Sequence, residues 1–285
     1  MDVAPADMPA ATAPTSLWAR DGLDADLDAL MGSIEAGFSI RLIATPREQL
    51  KTCRHDEPLG SVVARNVDGY DFLPVTRDGS IVGIVRVAGL GDGAPPSGLI
   101  ADAMAPLSEA NLIGADAGIL SFLRDADARP CRLVLAGSTI VGLVSLSDLQ
   151  RLPVRPVLFF LITHLEMLMA AVIRSRCSDD NDWRTLLSDE RQAKLDERLG
   201  NAHEHDMFID ALLGTEFADK ITILAKSGVL APMSRKAIER ELQKVKKLRD
   251  QVAHAGAYAW DAEAACRTCA TVRLAEAWIE RLRGS

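Results

Sequence analysis

Phe72-Leu-Pro-Val-Thr-Arg-Asp-Gly-Ser-Ile-Val-Gly-Ile-Val-Arg86 returns about 60 residues later as Arg132-Leu-Val-Leu-Ala-Gly-Ser-Thr-Ile-Val-Gly-Leu-Val-Ser145. Each copy is a short apolar run, a glycine-containing break and a second apolar run. That pattern predicts a β-hairpin. A helix is predicted ahead of each hairpin, over Pro58 to Val67 and over Gly118 to Asp127. A short helix is expected after each. The unit is therefore β-α-β-β-α, and the chain carries it twice as an internal repeat.

Over roughly residues 40–152 this repeat resembles a tandem pair of CBS (cystathionine-β-synthase) domains. The resemblance implies one pseudo-symmetric module with ligand clefts between its halves. Its most specific stretch is Gly142-Leu-Val-Ser145-Leu-Ser147-Asp148. This resembles the family's ribose-binding pattern of glycine, two apolar residues, Ser or Thr, and an Asp three places on. It implies that the hydroxyl of Ser145 and the carboxylate of Asp148 grip the ribose of an adenine nucleotide (AMP, ADP or ATP) as a regulatory ligand. The alternative reading is that Ser145 or Ser147 and Asp148 cap the helix they open. The first copy departs from the pattern: Gly83-Ile-Val-Arg86-Val-Ala-Gly89 has neither hydroxyl nor carboxylate. One working site is expected, with Arg86 and Arg132 as candidate phosphate contacts. Neither glycine-rich stretch resembles a P-loop, which argues against ATP hydrolysis.

The character of the chain changes after Asp148. Leu149-Gln-Arg-Leu-Pro153-Val-Arg-Pro156 reads as a linker punctuated by two prolines. Beyond it no strand pattern appears, and helices are expected near 156–176, 183–199, 206–213, 216–226, 234–254 and 261–283. In the fifth, Ile238, Leu242, Val245, Leu248 and Val252 repeat at close to 3.6 residues. Ser234 is a good N-cap after the Pro232 breaker, and Gly256 a plausible stop. The expected architecture is α+β followed by all-α. A tail spans 1–21, the tandem module 22–152 (second repeat about 98–152), and a helical bundle 153–285.

The fifth helix closes on Arg249-Asp250-Gln251-Val252-Ala253-His254. Histidine moves protons near neutral pH, and arginine forks onto phosphate. The hexapeptide resembles the signature of HEPN (higher eukaryotes and prokaryotes nucleotide-binding) domains, helical bundles of which many are ribonucleases. The resemblance implies a metal-independent endoribonuclease. His254 would take the proton of an RNA 2′-hydroxyl, Arg249 would stabilise the phosphorane, and Asp250 would orient Arg249. A 2′,3′-cyclic phosphate and a 5′-hydroxyl would result. Residues five apart on a helix diverge by about 140°, so the site requires a broken helix, a reaching arginine or a second chain. HEPN domains commonly dimerise, so a homodimer is expected. The rival reading makes the bundle a non-catalytic dimerisation, RNA-binding or partner-binding module whose Arg249 and His254 are structural. Arg198 with His203 or His205 has similar spacing, but Leu199-Gly200-Asn201 reads as a helix end. Glu166 is a candidate partner for Arg249, or a half-buried residue satisfied elsewhere.

His203-Glu-His205-Asp206 does not suit a metal, because His at i and i+2 diverge on a helix. Cys266 and Cys269 lack the further ligands of a zinc site. The five cysteines are odd in number and scattered, which reads as a reducing, cytoplasmic compartment. The apolar run Val157 to Ile173 is broken by His164 and Glu166 and suits a bundle core better than a membrane. Aromatic residues are only 5% of the chain, which argues against rows of stacking rings for single-stranded nucleic acid. Residues 1–150 hold 11 Lys+Arg against 20 Asp+Glu, so that half is ill suited to nucleic acid. The remainder is balanced, 21 against 20, but concentrates Arg235, Lys236, Arg240, Lys244, Lys246, Lys247 and Arg249 on one helix. Either that is a solvated face or it attracts phosphate.

Overall fold

The computed structural model describes residues 20–90, 96–177, 179–204 and 210–284. Most of the expected tail lies outside these residues; the first helix, α1, already begins within it (Arg20–Gly37). A mixed α/β part is followed by a helical part. The strands are β1 (Thr45–Pro46), β2 (Cys53–Arg54), β3 (Phe72–Arg77), β4 (Ser80–Arg86), β5 (Ala105–Pro106), β6 (Leu112–Gly114), β7 (Cys131–Ala136) and β8 (Thr139–Ser145). Among them lie α2 (Leu59–Arg65), α3 (Ile100–Ala103) and α4 (Ile119–Leu123).

Both expected hairpins form. β3 pairs antiparallel with β4, and β7 with β8. The register slips at equivalent places, between Val75 and Thr76 and between Val134 and Leu135. Each hairpin extends into a four-stranded sheet, and here the repeats exchange strands. β1, near the start of the first repeat, pairs with β8 of the second; β5, near the start of the second, pairs with β4 of the first. Ile81 and Ile84 from one hairpin and Cys131, Leu133 and Ile140 from the other form a shared apolar cluster.

The exchange explains a glycine in each copy. A Cβ on Gly83 would sit 2.4 Å from the Ala105 carbonyl oxygen, and one on Gly142 would sit 2.6 Å from that of Thr45. Gly83 belongs to the copy without the ribose pattern, so the glycine serves strand approach in both copies. Gly83→Ala and Gly142→Ala are each expected to lower stability by about 1–3 kcal/mol, because the clash is with backbone. Denaturant midpoints measure this; unchanged midpoints would mean that the strands do not approach this closely.

The helical part comprises α5 (Val154–Arg176), α6 (Asp180–Arg184), α7 (Asp189–Glu204), α8 (Phe217–Lys226), α9 (Arg235–Ala253) and α10 (Ala262–Arg283). The helix expected at 183–199 is instead two, because capping intervenes. Asp179 accepts hydrogen bonds from the first turn of α6, and the Ser188 hydroxyl accepts one from Arg191 ahead of α7. Of the helix expected at 206–213, residues 206–209 lie outside the described residues and 211–214 form a turn. α5 is long and apolar enough to cross a membrane. In the fold it is a core helix: Val157, Leu158, Leu161, Leu165 and Met169 are buried, and it packs against α1, α4, α8, α9 and α10.

The stretch read as a linker is packed. Leu149 and Val154 are fully buried, and α5 starts at Val154. Proline is compatible with a helix start, since its missing N–H has no partner there. One apolar cluster runs from Ile40 and Val144 of the α/β part through α5 to Trp278 and Leu282. Polar contacts cross the same boundary. Arg124 bonds Glu35 and Glu276, and Arg273 grips Asp127 with both terminal nitrogens.

Candidate functional site

Ser145 ends β8 in extended conformation, and a 3₁₀ turn over Leu146–Gln150 follows at once. The reversal brings Asp148 back to the strand end. Its Oδ2 accepts from the Ser145 backbone N–H (2.7 Å) and hydroxyl (3.2 Å), and its Oδ1 accepts from Arg151 Nε (2.7 Å). Arg151 also reaches the Thr45 hydroxyl at 3.0 Å, tying the exchanged strand to the site. The helix-capping alternative is thus realised in the geometry. It does not exhaust the group. A carboxylate offers about four acceptor positions, and the Ser145 hydroxyl has a second partner in Ser147 at 2.8 Å. Burial pushes the Asp148 carboxyl up from its ordinary range, although the Ser145 and Arg151 hydrogen bonds pull the other way.

Beside this turn lies a cavity of about 630 Å³. Ser145, Ser147 and Asp148 line it from the second repeat, and Tyr70 and Phe72 from the first. Lys51 contributes from the segment before β2, and Trp260 from the loop between α9 and α10. Of the other residues expected in a ligand site, Gly142, Arg86 and Arg132 are not among the lining residues. Arg86 is exposed at the end of β4, opposite Phe72. Arg132 is buried, ion-paired with Asp125 and stacked 5.5 Å from the Phe122 ring centre.

The far wall of the cavity is joined to the end of α9. With its amide oriented to satisfy its neighbours, Gln150 Oε1 accepts from the backbone N–H groups of Tyr258 (3.2 Å), Ala259 (2.8 Å) and Trp260 (3.1 Å). On the other side of the loop, Arg155 donates to the carbonyls of Gln251 (3.1 Å), Val252 (2.6 Å) and Gly256 (2.9 Å), and stacks on Tyr258 at 5.2 Å. A guanidinium at a helix C-terminus satisfies carbonyls that have no intrahelical partner. Sequence reasoning missed Gln150, Arg155 and Trp260. Trp260 had left a signal, since Tyr258-Ala-Trp260 is an aromatic pair in a chain poor in them.

α9 carries the Arg249…His254 motif on two faces. Arg249 is half-buried and touches Asp250 at 3.4 Å, while Asp250 also takes Lys246 at 2.8 Å. Burial pushes the Asp250 carboxyl up, but Lys246 and Arg249 outweigh it and hold the group below its usual range. His254 is the exposed C-cap residue; its backbone N–H bonds the Asp250 carbonyl at 3.1 Å. Ala255 then turns left-handed (φ 54°), and the Gly256 N–H closes the end on the Gln251 carbonyl. Lys236, Arg240, Lys244 and Lys247 are exposed on α9 at spacings of four, four and three. Among the described residues Lys236, Lys244 and Lys247 have no ion-pair partner.

Glu166 is not a partner of Arg249. It bonds the buried Lys220 ammonium at 3.0 Å, and Lys220 also donates to the Thr215 carbonyl. Arg198 pairs with Glu216. His205, Asp206 and the His203 side chain lie outside the described residues. Cys269 is buried, and burial pushes its thiol up to about 12. Among the described residues no group of three or more His, Cys, Asp or Glu is placed to hold a metal ion.

No family model and no curated protein matches the chain. Part of it is similar to solved CBS-domain structures. The CBS domain of the bacterial CNNM/CorC family Mg2+ transporter in complex with ATP is 21% identical, over 46% of this chain and 96% of that one, with a TM-score of 0.37. A hemolysin-like protein containing a CBS domain, from Oenococcus oeni PSU, is 13% identical over 42% and 93%, with a TM-score of 0.34. CBSX2 in complex with AMP is 17% identical over 40% and 95%, with a TM-score of 0.35.

Proposed function

We propose that residues 40–152 are a CBS-like pair that binds an adenine nucleotide, AMP, ADP or ATP, and that the helical region responds to it. The observation that carries this reading is the convergence of Ser145, Ser147 and Asp148 on a cavity walled by both repeats. Two hydroxyls and a carboxylate at a strand end suit a ribose diol, whose hydroxyls donate to the carboxylate. Lys51 and Arg151 line the same cavity and supply positive charge for phosphate. Calorimetry with each nucleotide tests it. Hydrogen bonds to charged groups are worth roughly 1.5–3 kcal/mol, so Asp148→Ala is expected to weaken binding about tenfold or more. Asp148→Asn, which keeps an oxygen for the cap, separates ligand loss from misfolding. Binding that is absent in the wild type, or unchanged in both variants, would refute the site.

For the helical region, the exposed basic stripe ending at His254 favours a HEPN-like domain acting on RNA. A polyanion would follow Lys236, Arg240, Lys244 and Lys247 to the imidazole. Arg249 sits on another face, so the catalytic pairing of Arg249 with His254 is assigned to a homodimer, with α9 near the two-fold axis. The alternative, a non-catalytic module binding RNA or a partner, uses the same stripe without the chemistry. The five unpaired cysteines are in keeping with a cytoplasmic location.

A further inference from the structure

The two repeats do not close the cavity by themselves. Trp260 lines it from the α9–α10 loop and is 68% exposed. Tyr70 lines it from the first repeat and is 44% exposed. An exposed indole at the rim of a ligand-sized cavity offers a planar stacking surface. Its loop is tied to the turn that carries Asp148, because Gln150, two residues further on, gathers the backbone N–H groups of Tyr258, Ala259 and Trp260.

We infer that Trp260 is a base-contacting residue of the nucleotide site, so that the helical region supplies part of the ligand's own binding surface. The inference rests on the nucleotide reading of the cavity and adds to it the element that reads the base. A planar heteroaromatic ring stacks on the indole while the ribose engages Ser145 and Asp148. The loop that carries Trp260 also holds Gly256, whose carbonyl Arg155 ties to the last turn of α9. Occupancy of the cavity therefore steadies the chain immediately after His254. Because linkage is reciprocal, whatever binds at the end of α9 alters nucleotide affinity by the same factor.

The test titrates full-length protein with AMP, following tryptophan fluorescence and heat. Trp183 and Trp278 are buried and Trp18 lies outside the described residues; the quench is assigned to Trp260 by its disappearance in Trp260→Ala. Stacking of a base on an aromatic side chain corresponds to a loss of about 5- to 150-fold in affinity when the ring is removed. Trp260→Phe should restore most of it. Hydrogen exchange across residues 255–261 should slow on AMP addition in the wild type and not in Trp260→Ala. Trp260 is exposed, so its variants are expected to fold. Affinity unchanged in Trp260→Ala, while Asp148→Asn is weakened, would overturn the role of Trp260 and leave the nucleotide site standing. Failure of the wild type to bind AMP, ADP or ATP at all would overturn both.

Discussion

His254→Ala is expected to lower the rate of RNA cleavage roughly 10²–10⁴-fold, the range for removal of a general base. The imidazole stands exposed at the end of α9, and on the proposed reading the basic stripe would bring a phosphate backbone to it. Arg249→Ala should be comparably severe, because it removes charge stabilisation at the phosphorane. On the proposed mechanism imidazole and guanidinium would supply both proton transfer and charge stabilisation, so cleavage should survive EDTA. The proposed homodimer would bring the motif faces together from two chains, which gives a sharper measurement. Mixing His254→Ala with Arg249→Ala should recover activity that neither variant has alone, since a mixed dimer holds one intact imidazole and one intact guanidinium. His203→Ala should cleave normally. RNA left intact under every nucleotide condition, or cut equally well by His254→Ala, would eliminate the enzyme and leave the binding module.

Leu158→Ala is expected to cost about 2–5 kcal/mol, as for a leucine truncated in a closed core. Leu158 is fully buried in the cluster that joins the second repeat to the bundle. Both parts should therefore unfold together, at a lower denaturant concentration. Two probes report them separately. Tryptophan fluorescence follows chiefly the helical part, which holds Trp183, Trp260 and Trp278. Thiol labelling, read at Cys131 by peptide mass spectrometry, follows β7, where that side chain is buried. Coincident transitions in the wild type, shifted equally by Leu158→Ala, are the expected result. Transitions that separate would show that the shared core does not couple the two parts.

The hairpins were legible because alternating apolar residues around a glycine break carry a local signal. The sheets they join were not. β1, β2 and β5 are two residues long, too short for any periodicity, and exist only through partners far along the chain. Prolines at 153 and 156 read as a linker because proline punctuates; the buried Leu149 and Val154 on either side of Pro153 show that here it starts a helix. Ser145 and Asp148 were legible as a pair, since their spacing is local. Whether they cap or bind depends on what faces them, and Tyr70 and Trp260 come from about 75 residues before and 110 after. The end of α9 was placed to within a residue. Gly256 was expected as the stop, yet Ala255 adopts the left-handed turn and Gly256 supplies the closing N–H.

The exchange of β1 and β5 also matters during synthesis. A sheet edge left open on a nascent chain invites pairing with a neighbour. β4 emerges from the ribosome with its covering strand only about 20 residues behind it, a delay on the order of 1–4 s at ordinary translation rates. β8 emerges nearly a hundred residues after β1, so its cover is waiting when it appears. Each repeat's hairpin is met at its glycine by the two-residue strand that introduces the other, and neither contact waits long for its second partner. The order of elements along the chain thus shortens the time for which these positions of β4 and β8 stand unpaired on the growing polypeptide.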